Sequence, residues 1–314
     1  MVPNIKFGTS GWRGLIAHDF TFDNVRLATQ GVAEYLKAEL ADPKSPVHGR
    51  KPTVILGYDT RFLAREFSLA AAEVLTAAGL EPLLCDRDTP TPVIAHTIRH
   101  RKAIGGIDLT ASHNPAEYQG LKFSTFNGAP ATPEVTKQIE ANIARLAAGN
   151  WSFTPAPIGT FQCPAINPMP DYFKQLRKLI NFAAIRKAHL KVAVELSYGT
   201  GHGYLDKLLA GAGAKVTLFH NELNPLFGGH HPEPNAEGMR EAAACVRSGK
   251  AQIGLGLDGD ADRFGVVDKN GTWLTPNQRW IQVPPAERRM GRIPGQRHRA
   301  VDSLLHRGKI AGPT

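Results

Sequence analysis

The sequence predicts an α/β protein of two three-layer α/β/α domains with mostly parallel mixed sheets, plus the start of a third domain. Two observations carry this. Short apolar runs alternate with helix-forming stretches, the pattern of crossover-connected parallel strands. The alternation stops in residues 150–170, a stretch rich in Pro, Gly, Thr and Asn, and then restarts. At 314 residues the chain can hold a separate core in each half.

The elements follow in order. Val54 to Tyr58 is a strand that ends at a polar turn, Asp59-Thr60-Arg61. Ala64 to Gly79 is a helix rich in Ala, Glu and Leu, with Gly79 as its stop. Glu81 to Cys85 is a strand, Thr89-Pro90-Thr91-Pro92 a turn, and Val93 to Arg101 a helix. Ala103 to Leu109 is a third strand, which delivers Thr110 to Pro115 into a loop. Asp108 is a carboxylate where a core strand should be apolar; buried and unpaired it would cost several kcal/mol or shift its pKa, so exposed, paired and simply tolerated all stay open. After the linker, Tyr172 to Ile180 is a helix and Lys191 to Leu196 a strand. A Gly-rich turn over residues 199–203 leads to a helix over Tyr204 to Leu209, followed by a strand at Lys215 to Phe219. Glu237 to Ser248 is a helix, Gln252 to Leu257 a strand, and Phe264 to Leu274 a hairpin with Asn270-Gly271 in a type I′ turn. The expected divisions are residues 1–150, a linker at 151–170, a second domain at 171–265, the start of a third at 266–278, and a tail at 279–314. The tail mixes Arg, Pro, Gly and His without helical or strand period, so it is expected to be disordered.

Composition narrows the function classes. Hydrophobic residues at 42% and charged residues at 21% describe a soluble globular chain. The net charge of +9 suggests nucleic acid. However, eight Lys or Arg against two acids put +6 in residues 279–314 and leave +3 for residues 1–278. The main body is therefore not expected to bind nucleic acid. No run is long enough to span a bilayer, and residues 1–6 have no apolar signal core. Three scattered cysteines, Cys85, Cys163 and Cys245, fit a reducing cytoplasm. The oligomeric state is not legible.

Two motifs carry the chemistry. Thr110-Ala111-Ser112-His113-Asn114-Pro115 puts a hydroxyl beside an imidazole in a turn after a strand. The Gly-x-Ser-x-Gly elbow of esterases is absent, so a hydrolase triad is the weaker reading. Asp258-Gly259-Asp260-Ala261-Asp262-Arg263 puts three carboxylates at alternate positions after another strand. Their mutual repulsion is relieved by a divalent cation, and Mg²⁺ prefers such oxygen ligands. An EF-hand fails, because its sixth position would be Arg263 and its twelfth Lys269. Gly8-Thr9-Ser10-Gly11-Trp12-Arg13-Gly14 could offer backbone N–H groups and a guanidinium to phosphate, or serve only as an N-terminal turn. Lys122 is a candidate proton donor or acceptor if partly desolvated.

Taken in order, Phe7 to Gly14, Gly57 to Arg61, Thr110 to Pro115 and Asp258 to Arg263 resemble the α-D-phosphohexomutases, the phosphoglucomutase/phosphomannomutase family. Residues 199–209 and 227–235 resemble that family's second domain, and the resemblance spans roughly residues 4–278. It implies that Ser112 carries the transferred phosphoryl group. It implies that Ser112, Asp258, Asp260 and Asp262 bind Mg²⁺. Arg13 and Arg263 would stabilise phosphoryl charge, and His113 and Lys122 would move protons. The implied reaction interconverts hexose 1-phosphate and hexose 6-phosphate through a hexose bisphosphate, an intramolecular phosphotransfer. Family members have four domains, and the sugar-recognition and distal phosphate loops belong to the third and fourth. Neither loop is found here, so a C-terminally truncated chain of impaired activity is expected. The alternative is a non-catalytic sugar-phosphate or metal-binding module.

Overall fold

The computed structural model describes residues 5–8, 11–157 and 159–275. The described residues up to Trp273 form one compact unit that carries two sheets. The tail from residue 279, and Thr9 and Ser10 of the N-terminal turn, lie outside the described residues.

The first sheet has six strands: β1 (Trp12–Leu15), β2 (Thr53–Tyr58), β3 (Glu81–Cys85), β4 (Gly105–Leu109), β5 (Tyr118–Thr125) and β6 (Ala165–Ile166). Their order is β1-β5-β4-β2-β3-β6. β4, β2, β3 and β6 run parallel, β5 is antiparallel to β4, and β1 is antiparallel to β5. β2 is central and nearly continuous in apolar residues because both of its faces are covered. Val54 and Leu56 join a large core with helices α1 (Phe22–Ala41), α2 (Ala64–Ala77) and α4 (Pro133–Ala148). Ile55 points the other way, onto Ile94 and Ile98 of α3 (Thr91–His100). That alternation makes the three layers. α1 starts at Thr21, whose hydroxyl accepts the Asn24 N–H at 3.2 Å.

The second sheet has five strands in the order β11-β10-β9-β7-β8. They are β7 (Lys191–Glu195), β8 (Lys215–Phe219), β9 (Ile253–Leu257), β10 (Phe264–Val267) and β11 (Trp273–Leu274). α8 (Arg240–Arg247) covers one face through Ala242, Cys245 and Val246. On the other face, Val192 and Val194 pack with Leu209 of α7 (Leu205–Gly211) and Ile185 of α6 (Phe182–Ala188). α5 (Met169–Leu179) reaches back to α3, where His100 Nε2 lies 3.4 Å from Asp171.

The structure corrects three of the readings made from the sequence. The stretch after Asn150 does more than link, since β6 pairs in parallel with β3 and Trp151, Phe161 and Cys163 pack on the first core. All four residues of β10 pair with β9, so the second sheet runs past the boundary drawn at residue 265. The hairpin turn is not type I′, because Gly271 has positive φ and Asn270 does not. Asp268 Oδ1 accepts the N–H groups of Asn270 and Thr272, both at 2.9 Å. This Asx arrangement favours an ordinary turn closed by a left-handed glycine.

Candidate active site

Three strands deliver the site at their carboxyl ends, where ligands gather in such sheets. β2 is followed by Asp59-Thr60-Arg61, β4 by the Ser112 loop, and β9 by the Asp258 loop.

Ser112 is held in an uncommon conformation. Its φ is +55°, a left-handed value that costs a non-glycine residue roughly 1–2 kcal/mol. The Thr110 hydroxyl accepts its N–H at 2.9 Å, and Arg61 Nη2 donates to its carbonyl at 2.8 Å. Its hydroxyl then lies 3.0 Å from Asp258 Oδ2 and 3.5 Å from His113 Nδ1. Two loops 146 residues apart in sequence therefore meet at one oxygen. Gly259 permits the approach, because a Cβ there would stand 2.8 Å from the Ser112 carbonyl oxygen.

The three aspartates converge, each offering an oxygen within 4.8 Å of the others. Asp258 and Asp260 are buried and Asp262 is exposed. Arg263 N–H donates to Asp258 Oδ1 at 2.9 Å, which turns that carboxylate toward Ser112. Lys122 Nζ lies 2.5 Å from Asp260 Oδ2 and 3.0 Å from Asp262 Oδ2. The buried Asp260 Oδ1 has no partner among the described residues. An acid cluster with an orphaned buried oxygen fits a hard divalent cation such as Mg²⁺. A cavity of about 70 Å³ opens beside it, lined by Gly8, Gly11, Thr91, Lys122 and Asp262. The larger cavity, about 290 Å³, lies on the second lobe around Glu195, Tyr198 and His220.

The electrostatics follow from burial and counter-charge. Burial opposes ionisation of Asp260, but Lys122 outweighs it and keeps the carboxylate charged. Burial, with Asp260 and Asp262 adding repulsion, pushes Asp258 up to about 8. Burial pulls the Lys122 ammonium down, yet Asp260, Asp262 and Asp108 raise it beyond its ordinary value. Lys122 is thus a fixed cation near neutral pH. Burial, aided by Arg263, holds His113 below the usual imidazole value, so it is largely neutral and able to accept a proton.

Asp108 is buried, and its Oδ2 lies 2.6 Å from Thr91 Oγ1. The same hydroxyl lies 2.8 Å from Asp260 Oδ2. One hydroxyl proton cannot serve two carboxylates. Burial pushes Asp108 up to about 8, so at neutral pH it donates to Thr91, which donates to Asp260.

Ser112, His113, Lys122, Asp258, Asp260 and Asp262 are brought together. The two arginines are engaged elsewhere. Arg13 Nη1 donates to Asn114 Oδ1 at 2.5 Å, and Arg263 Nη1 pairs with Glu233 at 3.1 Å. Asp59, Arg61 and Thr91 escaped the sequence reading as site residues. Asp59 and Arg61 were signalled by a polar turn at the end of an apolar strand and by the family-like Gly57 to Arg61 segment, without a role for either residue.

The description "Phosphoglucomutase/phosphomannomutase, alpha/beta/alpha domain I" matches residues 4–149, and that of domain II matches residues 170–271. The chain belongs to this family. A protein described as a probable phosphoglucosamine mutase from Methanobrevibacter smithii is 30% identical over 267 residues, covering 84% of this chain and 55% of its own length. Phosphoglucomutase-1 of Homo sapiens is 29% identical over 300 residues, covering 87% and 52%. The crystal structure of a provisionally assigned phosphomannomutase from Thermus thermophilus superposes with a TM-score of 0.79 at 30% identity, covering 93% of this chain and 63% of that one. The chain spans about half the length of the curated relatives it matches. Among the described residues, no helix is long and apolar enough to cross a membrane.

Proposed function

We propose that the chain carries the phosphoserine and metal half-site of a phosphohexomutase that interconverts hexose 1-phosphate and hexose 6-phosphate. The observation that carries this reading is the 3.0 Å approach of Ser112 Oγ to Asp258 Oδ2 within the three-aspartate cluster. Ser112, Asp258, Asp260 and Asp262 would hold Mg²⁺, which when bound would neutralise charge on the phosphoryl oxygens.

The protein's groups divide the remaining work. A sugar hydroxyl oxygen attacks the phosphorus on Ser112. The bond to the serine oxygen breaks as the bond to the sugar oxygen forms, giving a hexose bisphosphate. His113, neutral and beside Ser112, takes the hydroxyl proton and returns one to the serine oxygen. The reoriented bisphosphate passes its other phosphoryl group back to Ser112. Lys122 holds Asp260 and Asp262 in place and balances their charge. Arg13 orients the serine loop through Asn114, and release of Arg263 from Glu233 would free it to meet a phosphate. Positioning and charge balance supply most of the acceleration in phosphoryl transfer. We further propose that these 314 residues alone turn over weakly, because binding energy from a distal phosphate normally contributes to rate.

The test is intact-mass spectrometry after incubation with a hexose 1,6-bisphosphate and Mg²⁺. One added phosphoryl group, mapped to Ser112 and absent in Ser112→Ala, is expected. Ligand binding without labelling would leave the non-catalytic sugar-phosphate module.

A further inference from the structure

Arg61 lies beneath the serine loop with its side chain fully buried. A guanidinium has five N–H donors, and here all five are used. Nε donates to Asp59 Oδ2 at 3.1 Å. Nη1 donates to the carbonyls of Pro115 at 2.6 Å and Tyr118 at 3.0 Å. Nη2 donates to the carbonyls of Ser112 at 2.8 Å and Asn114 at 2.6 Å. Four carbonyls from one seven-residue loop thus converge on one cation. No backbone ladder could gather them, since all four belong to irregular chain or to the first residue of β5. Asp59 is also buried, and its Oδ1 accepts the Arg61 N–H at 2.9 Å. Burial works against the charge on both members, and their pairing opposes it.

The open face of the guanidinium meets the second lobe. Its central carbon lies 4.8 Å from the ring centroid of Phe227, which is itself buried. One residue earlier, the Thr60 hydroxyl donates to the Tyr198 carbonyl of that lobe at 2.9 Å. The turn after β2 is therefore fastened to the serine loop on one side and to the second lobe on the other.

We propose that Arg61 is a positioning residue for phosphoryl transfer, setting the left-handed Ser112 conformation and making it depend on docking of the second lobe through Phe227. This rests on the mutase reading for its chemistry but not for its geometry. Without the clamp, the backbone at Ser112 relaxes to an ordinary φ and the hydroxyl swings away from Asp258. Lysine cannot replace the fork, because its ammonium has three donors and no plane to lie on the ring.

Two readouts test this on the full chain, with variants Arg61→Lys and Phe227→Leu. The first is amide hydrogen exchange across residues 110–118. Exchange there is expected to rise at least about tenfold in Arg61→Lys, and by less in Phe227→Leu, with the strands of both sheets unchanged. The second is the rate of Ser112 labelling by a hexose 1,6-bisphosphate. In Arg61→Lys the saturating rate is expected to fall about 10²-fold, the loss a ~1 Å misplacement brings, while the half-saturating concentration stays put. A purely structural role would instead raise exchange throughout the first lobe. That result, or wild-type exchange at residues 110–118 in both variants, overturns the proposal. If Arg61→Lys does not fold, the Phe227→Leu exchange decides alone. If the wild-type chain is not labelled, the mutase reading fails and the exchange experiment still judges Arg61.

Discussion

Replacing Gly259 with alanine probes the meeting of the two loops more finely than removing either. The added Cβ would stand 2.8 Å from the Ser112 carbonyl oxygen and 3.3 Å from Pro232 Cγ. Ordinary contact begins at 3.4 Å, so the loops must part by about 0.6 Å. The Ser112 carbonyl cannot simply rotate away, since Arg61 holds it at 2.8 Å. The parting therefore falls on the contact between Ser112 Oγ and Asp258 Oδ2, now 3.0 Å, and carries it beyond hydrogen-bond range. Overpacking of this kind costs about 1–3 kcal/mol of stability. At ~10²-fold per ångström of misplacement, the Ser112 labelling rate should fall about tenfold. Denaturant melts and timed intact-mass spectra with a hexose 1,6-bisphosphate measure the two effects. Wild-type labelling in a folded Gly259→Ala chain would refute the claim that the loops must touch.

Three further outcomes are expected. Asp258 sits at about 8 without a cation, and a carboxylic acid must lose its proton to ligate, so Mg²⁺ affinity should rise with pH toward 8, by at most about tenfold per unit; calorimetric titrations at pH 6, 7 and 8 that agree would contradict it. Asp108 is raised to about 8 from an ordinary 3.8, so the native state holds a proton that the unfolded chain loses. Its contribution to stability is complete below about pH 4 and is lost as pH rises to about 8, by at most about 1.4 kcal/mol per unit. Asp108→Asn keeps a neutral donor toward Thr91 and should gain on the wild type between pH 5 and pH 8 in urea melts; parallel curves would argue against a buried proton. Lys122→Met removes the counter-charge beside Asp260 and should cost about 3–5 kcal/mol in the absence of divalent cation. Saturating Mg²⁺ should restore part of that loss in thermal melts, and a melt indifferent to Mg²⁺ would count against the cation site.

Much of the framework was legible because parallel strands are compact apolar runs between turn residues. β3 and β8 begin and end where the sequence reading put them, at Glu81–Cys85 and Lys215–Phe219. The serine and aspartate motifs were legible for a related reason, since polar clusters directly after such runs sit at the ligand-binding edge. α1 was missed because small residues carry much of its buried face: Ala28, Gly31 and Ala33, with Thr29 bonding back to Val25. Gly31 is there because a Cβ would stand 2.5 Å from Ile143 of α4, a constraint visible only once both helices are placed. β1 was hidden by Arg13 and Gly14 in a four-residue strand. Arg61 was passed over because a charged residue in a turn ordinarily faces water. Its burial depends on carbonyls more than fifty residues away.

The most direct test is anomalous diffraction from crystals of the Ser112-phosphorylated chain grown with Mn²⁺ in place of Mg²⁺. The expected result is one ion coordinated by Asp258, Asp260, Asp262 and an oxygen of phosphorylated Ser112. An ion bound elsewhere, or an aspartate-bound ion with Ser112 turned out of reach, would contradict the convergence on which the function rests.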